Sequence, residues 1–146
     1  MQNAKRSTTV YGNVHVAAIT GFSDAGKTTL IVQLIQRYVA EGLRVGAIKH
    51  THHHLNEENR GDTARFRAAG ADPVVLAGPG EAVVFANAGL YRASYERPRD
   101  LLVHFDHDVV LVEGFRELGD WPKISISDEA RPTVEELAAN LERYWK

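Results

Sequence analysis

The chain has no cysteine, which excludes disulfides, thiolate metal sites and cysteine nucleophiles. Neither charge dominates: 17 Lys and Arg stand against 19 Asp and Glu, a formal net charge of −2 with histidine neutral. Such a balance lacks the electrostatic footprint of a nucleic-acid or anionic-membrane binder, so neither partner is expected. No apolar run nears the roughly 18 residues that a membrane span needs. The opening MQNAKRSTTV lacks the apolar stretch of a secretory signal, and a cytoplasmic protein is the expectation. With 44% hydrophobic and 25% charged residues, the chain as a whole is neither disordered nor of low complexity. Its 146 residues suit one domain with a real core. Residues 1–12 are polar and read as a flexible N-terminal arm, with a single domain over 13–146.

What is present alternates between two kinds of element. Val14 to Thr20 is a short apolar run, read as a buried strand. From Lys27, apolar Leu30, Ile31, Leu34, Ile35, Tyr38 and Val39 recur at helical spacing, and Gly42 ends the pattern. Leu43 to Lys49 is a second strand, so a parallel pair with a right-handed crossover is expected. His50 to Gly61 has no period and reads as a loop. Asp62 is placed to cap a helix running to Ala69. Val74 to Ala86 reads as a hairpin around Gly78-Pro79-Gly80, followed by a Tyr- and Arg-rich loop. Pro98 can open a helix holding Leu101, Leu102, Val103 and Phe105. Asp108 to Gly114 and Pro122 to Ser127 are further strands. Thr133 and Glu136 form a capping box before Leu137, Leu141 and Tyr144. The pattern implies an α/β fold, P-loop NTPase-like, with a mostly parallel sheet flanked by helices and an antiparallel hairpin extension.

Gly21-Phe22-Ser23-Asp24-Ala25-Gly26-Lys27-Thr28 satisfies G-x-x-x-x-G-K-[ST] between the first strand and the first helix. Its glycines let backbone N–H groups turn inward as an anion nest, at the positive end of a helix. Lys27 supplies a mobile charge for β- and γ-phosphates, and Thr28 a hydroxyl for Mg²⁺. Residues 13–146 are therefore read as a P-loop nucleotide-binding domain. Asp24 must point outward or meet a cation, because an acid inside the nest repels phosphate.

A phosphate loop needs an acid near the metal, at the end of a neighbouring strand. Glu113 ends such a strand; the bland alternative is a carboxylate in solvent. Asp62 either reaches the metal or only caps its helix. His50, His52, His53 and His54 crowd the end of the second strand. They can contact phosphate or a partner, bind a transition metal through three imidazoles, or stay solvated. His15, His104 and His107 are scattered and read as structural.

GFSDAGKTTL (21–30), GAIKHTHHHL (46–55), GDTARFRAAGA (61–71) and LVEGF (111–115), with PKI (122–124) behind, make the chain resemble the MobB family of molybdopterin-guanine dinucleotide biosynthesis adaptors. The resemblance spans about residues 14–126. It implies a GTP-binding homodimer with slow hydrolysis at most. Its partners would be a molybdopterin guanylyltransferase-type enzyme and molybdoenzyme maturation factors. By position, Gly21, Phe22, Ser23, Asp24, Ala25, Gly26, Lys27, Thr28 and Thr29 would take phosphate. Thr28, Glu113 and Asp62 would take Mg²⁺. Glu113 and Asp62 would serve any hydrolysis, and His50, His52 and His53 would line the site. Asp24 departs from the small residue usual in the family. No N/T-K-x-D stretch is present, so GTP rests on the resemblance and ATP stays open. A nickel metallochaperone-type GTPase is the alternative, weakened by the missing cysteine. A small-molecule kinase is another, but no spacing of the arginines marks a lid.

Overall fold

The computed structural model describes residues 10–11, 14–21, 26–52, 55, 61–115, 121, 123–127 and 131–143. Among them, eight strands form one sheet. They are β1 (Val10–Tyr11), β2 (Val14–Gly21), β3 (Val45–His50), β4 (Val74–Ala77), β5 (Glu81–Ala86), β6 (Gly89–Ser94), β7 (Val109–Glu113) and β8 (Lys123–Ile126). The helices are α1 (Lys27–Ala40), α2 (Gly61–Ala69) and α3 (Val134–Glu142), with a 3₁₀ helix over Pro98–His104. The order across the sheet is β1-β2-β7-β3-β4-β5-β6, and β8 pairs with the other end of the β2 edge that β1 occupies.

Strands β2, β3, β4, β7 and β8 are parallel, as the alternation of strands and helices predicts. The two strands of the first strand–helix–strand unit are not neighbours: β7 lies between β2 and β3 and pairs with both. The hairpin forms, with Val74 opposite Phe85 and Ala77 opposite Ala82. The Tyr- and Arg-rich stretch after it is not a loop, as expected, but strand β6, antiparallel to β5. Its GLYRAS sequence is exposed along almost its whole length, so no buried face imposed the alternation by which a strand is read. Val10 and Tyr11, within the expected arm, pair antiparallel with β2.

Alternation along the strands sends successive side chains to opposite faces. Ala17, Ile19, Ala47, Leu111 and Ile126 pack with Leu30, Ile31, Leu34 and Ile35 of α1, Phe66 of α2, and Leu137 and Leu141 of α3. Val16, Ala18, Ile48, Val110 and Val112 pack instead with Leu101, Leu102 and Phe105 in and after the 3₁₀ helix. The buried stripe of α1 holds Leu30, Ile31, Leu34, Ile35 and Tyr38 as its spacing predicts, but Val39, expected on it, turns outward and is 39% exposed. No helix among the described residues is long and apolar enough to cross a membrane.

Candidate functional site

The parallel strands bring their C-terminal ends to one rim, where open α/β sheets bind ligands. Gly21 ends β2 with φ +148°, and a Cβ there would stand 2.4 Å from the carbonyl oxygen of Ile126 on β8. The first glycine of the motif is thus required by strand packing as well as by the turn. Residues 22–25 lie outside the described residues, Phe22, Ser23, Asp24 and Ala25 with them. The chain resumes at Gly26, left-handed at φ 81°, which caps α1 without any side-chain hydrogen bond. The first turn of α1 carries no acidic residue of its own, and a helix N-terminus favours an anion. Lys27 is buried, and its Nζ donates to the carbonyl oxygen of Gly21 at 2.9 Å, spanning the two ends of the motif.

Thr28, Asp62 and Glu113 come together from three elements. The Thr28 hydroxyl lies 2.9 Å from Glu113 Oε1 and 3.2 Å from Asp62 Oδ2. Glu113 is only 4% exposed and so is not a strand-end carboxylate in solvent. Asp62 lies within the first turn of α2, which starts at Gly61, rather than outside it as a cap. A fourth residue, unexpected from the sequence, completes the group. Lys49 Nζ sits 2.9 Å from Asp62 Oδ2 and also donates to Glu113 Oε2. Burial disfavours its charge, but Glu113 and then Asp62 outweigh that and hold its pKa above the ordinary lysine value. The register explains the meeting: Lys49 is the direct partner of Glu113 across β3 and β7, and residues level in adjacent strands share a face. A lone lysine closing the apolar run Val45–Ile48 was the available sign.

The cluster offers only hydroxyl and carboxylate oxygens around a place that already holds an ammonium group. Hard oxygen donors of this kind suit Mg²⁺, which needs one or two carboxylates beside waters and phosphate. Among the described residues, no three His, Asp or Glu side chains gather as a metal site, and this group supplies two carboxylates and a hydroxyl.

Alternation turns His50 away from Lys49. Its ring stacks on Phe115 at 4.0 Å between centroids, and its Nδ1 accepts from the Phe115 N–H at 3.3 Å. Phe115 is buried and left-handed, with φ 55°. Burial, then His52 and Lys49, lowers the pKa of His50 to about 4, so the ring is neutral near pH 7. His52 packs edge-on to His50 at 4.7 Å. His50 therefore belongs with the Phe115 face and not with the Thr28 group. His53 and His54 lie outside the described residues. Thr29 Oγ1 lies 3.5 Å from Arg65 of α2, at the outer limit of a hydrogen bond.

The family model described as molybdopterin guanine dinucleotide synthesis protein B matches residues 16–143. A Haemophilus influenzae molybdopterin-guanine dinucleotide biosynthesis adapter protein is 35% identical over 113 residues, covering 71% of this chain and 58% of that protein. An Escherichia coli adapter protein of the same description is 40% identical over 65 residues, covering 44% of this chain and 37% of its own. The chain thus spans less than two thirds of the length of these relatives. Among solved structures, a MobB protein homolog from Bacillus stearothermophilus is 28% identical over 87% of this chain and 70% of its own, at a TM-score of 0.42. MobB of Bacillus subtilis is 27% identical over 85% of this chain and 72% of its own, at a TM-score of 0.47.

Proposed function

This chain belongs to the MobB family, and on that premise we propose that it is a GTP-binding adaptor in molybdopterin-guanine dinucleotide biosynthesis. Its role is to assist the enzyme that joins GMP to molybdopterin. The observation that carries the nucleotide reading is the Thr28 hydroxyl, which opens the helix after the phosphate loop and meets both Glu113 and Asp62. A fortuitous match to the loop pattern has no reason to aim its final hydroxyl at two acids from distant parts of the chain.

Each residue has a distinct task. Backbone N–H groups at the head of α1 receive phosphate oxygens. The Lys27 ammonium leaves the Gly21 carbonyl for the phosphate chain, exchanging a neutral acceptor for a charged one. Thr28, Glu113 and Asp62 would hold Mg²⁺, which when bound neutralises phosphate charge. Lys49 bridges the two carboxylates and compensates their charge until then. Both oxygens of Glu113 are already engaged, by the Thr28 hydroxyl and the Lys49 ammonium, an arrangement that supports slow hydrolysis at most. On the family premise the working unit is a homodimer, engaging a guanylyltransferase-type enzyme and molybdoenzyme maturation factors.

Calorimetric titration with GTP and ATP, each with and without Mg²⁺, tests the reading. Lys27→Ala is expected to abolish nucleotide binding while the circular dichroism spectrum stays unchanged. Unaltered affinity would remove the phosphate-loop assignment. Glu113→Gln is expected to weaken Mg²⁺-dependent binding far more than metal-free binding, and equal effects would detach Glu113 from the metal.

A further inference from the structure

A groove of about 430 Å³ opens beside the head of α1, with Gly26, Thr29 and Gln33 on one wall and Arg131, Thr133 and Glu135 on the other. Its volume lies in the usual range of small-molecule sites, on the order of 300–1,000 Å³. The groove begins where the phosphate loop ends. Arg131 brings its guanidinium within 3.2–3.3 Å of the place a Cβ on Gly26 would take. Strand β8, which precedes the far wall in the chain, pairs with β2 and finishes at Ile126 opposite Gly21, on the same rim. A ligand held by the loop through its phosphates therefore has an adjoining recess for its remaining half.

Two neighbouring acids open α3, and they have different fates. Glu136 is consumed by the helix cap: its Oε1 accepts from the Thr133 N–H at 3.0 Å, while its own N–H donates to Thr133 Oγ1 at 3.1 Å. That cap fixes the start of α3 and leaves Glu135, one residue earlier, on the groove wall. A carboxylate beside an anion site repels phosphate, so it suits the part of a ligand that is rich in donors. Guanine presents N1–H and an exocyclic N2 amine side by side, both donors, to the two acceptor oxygens of a carboxylate. Adenine sets a ring-nitrogen acceptor beside its N6 amine, which places lone pair against lone pair.

Resting on the nucleotide reading above, we propose that this groove is the nucleobase subsite and that Glu135 makes it selective for guanine. Arg131 supplies the positive charge at the end of the groove nearest the phosphates.

The test compares GTP, inosine triphosphate, ATP and inorganic tripolyphosphate on the full chain and on Glu135→Gln, by calorimetry with Mg²⁺. Wild type is expected to bind GTP best, inosine triphosphate less well for want of the 2-amine, and ATP least. Glu135→Gln is expected to weaken GTP about tenfold or more, the loss typical of a hydrogen bond to a charged group. Tripolyphosphate and ATP should bind at least as tightly as before, so the GTP preference collapses. A preference retained in Glu135→Gln, or tripolyphosphate binding with no discrimination between bases in wild type, overturns the subsite and leaves the phosphate loop standing. Failure of wild type to bind even tripolyphosphate overturns both.

Discussion

At the scale of single residues, Lys49 organises the site more than its sequence surroundings announce. Lys49→Met leaves Glu113 buried and Asp62 close by, with no cation between them. Removing one partner of a buried pair is costly, and partial exposure of Asp62 and Lys49 moderates the cost to about 2 kcal/mol at neutral pH. Urea denaturation should record that loss, and added Mg²⁺ should recover part of it. Because the Lys49 pKa is raised, its contribution is present at neutral pH and disappears only as pH rises through that raised value. His50 has the opposite sign. It titrates near 6.5 when unfolded and at about 4 in the fold, so between those values the unfolded chain binds more protons. Stability therefore falls as pH falls through that window. Urea midpoints of His50→Gln at pH 7 and at about pH 5 should differ less than those of wild type; an equal difference would detach His50 from acid lability.

At the scale of elements, one close approach and one helix cap hold the site in place. Gly21→Ala must displace β8, since the added carbon meets the Ile126 carbonyl at 2.4 Å in a backbone conformation that disfavours side chains. A loss of about 2 kcal/mol or more is expected in thermal unfolding, together with weaker nucleotide binding because the loop starts at this residue. The Thr133 cap has a more confined effect. Thr133→Ala removes the hydroxyl that receives the Glu136 N–H, at an expected cost of about 1 kcal/mol. In hydrogen exchange the added opening should concentrate in α3. These elements were legible where one face is buried: α1 shows its stripe from Leu30 to Tyr38 and β7 its apolar run. Strand β6 was not, since exposure on both faces erases the period.

At the scale of the whole molecule, β6 rather than the β4–β5 hairpin forms one edge of the sheet among the described residues. It carries Leu90 and Tyr91, 54% and 47% exposed. A sheet edge bearing exposed apolar side chains is suited to pairing with another chain, and we propose this edge as the place where two copies of the chain would meet. Replacing both Leu90 and Tyr91 with lysine is expected to shift sedimentation toward monomer, with nucleotide affinity retained. An unchanged dimer would move the interface elsewhere.

The amino-acid order by itself determined the G-x-x-x-x-G-K-[ST] pattern and the strand and helix on either side of it, because glycine placement and hydrophobic period act over a few neighbouring residues. It also singled out Glu113 and Asp62 as acids. Only the tertiary structure decided that β7 enters between β2 and β3, which sets Glu113 level with Ile19 on one side and Lys49 on the other. Strand order depends on contacts between residues far apart in sequence, and no local pattern encodes it. The same insertion sent His50 to the Phe115 face and drew Lys49 to the acids: side chains alternate along a strand, but pairing decides what each one meets.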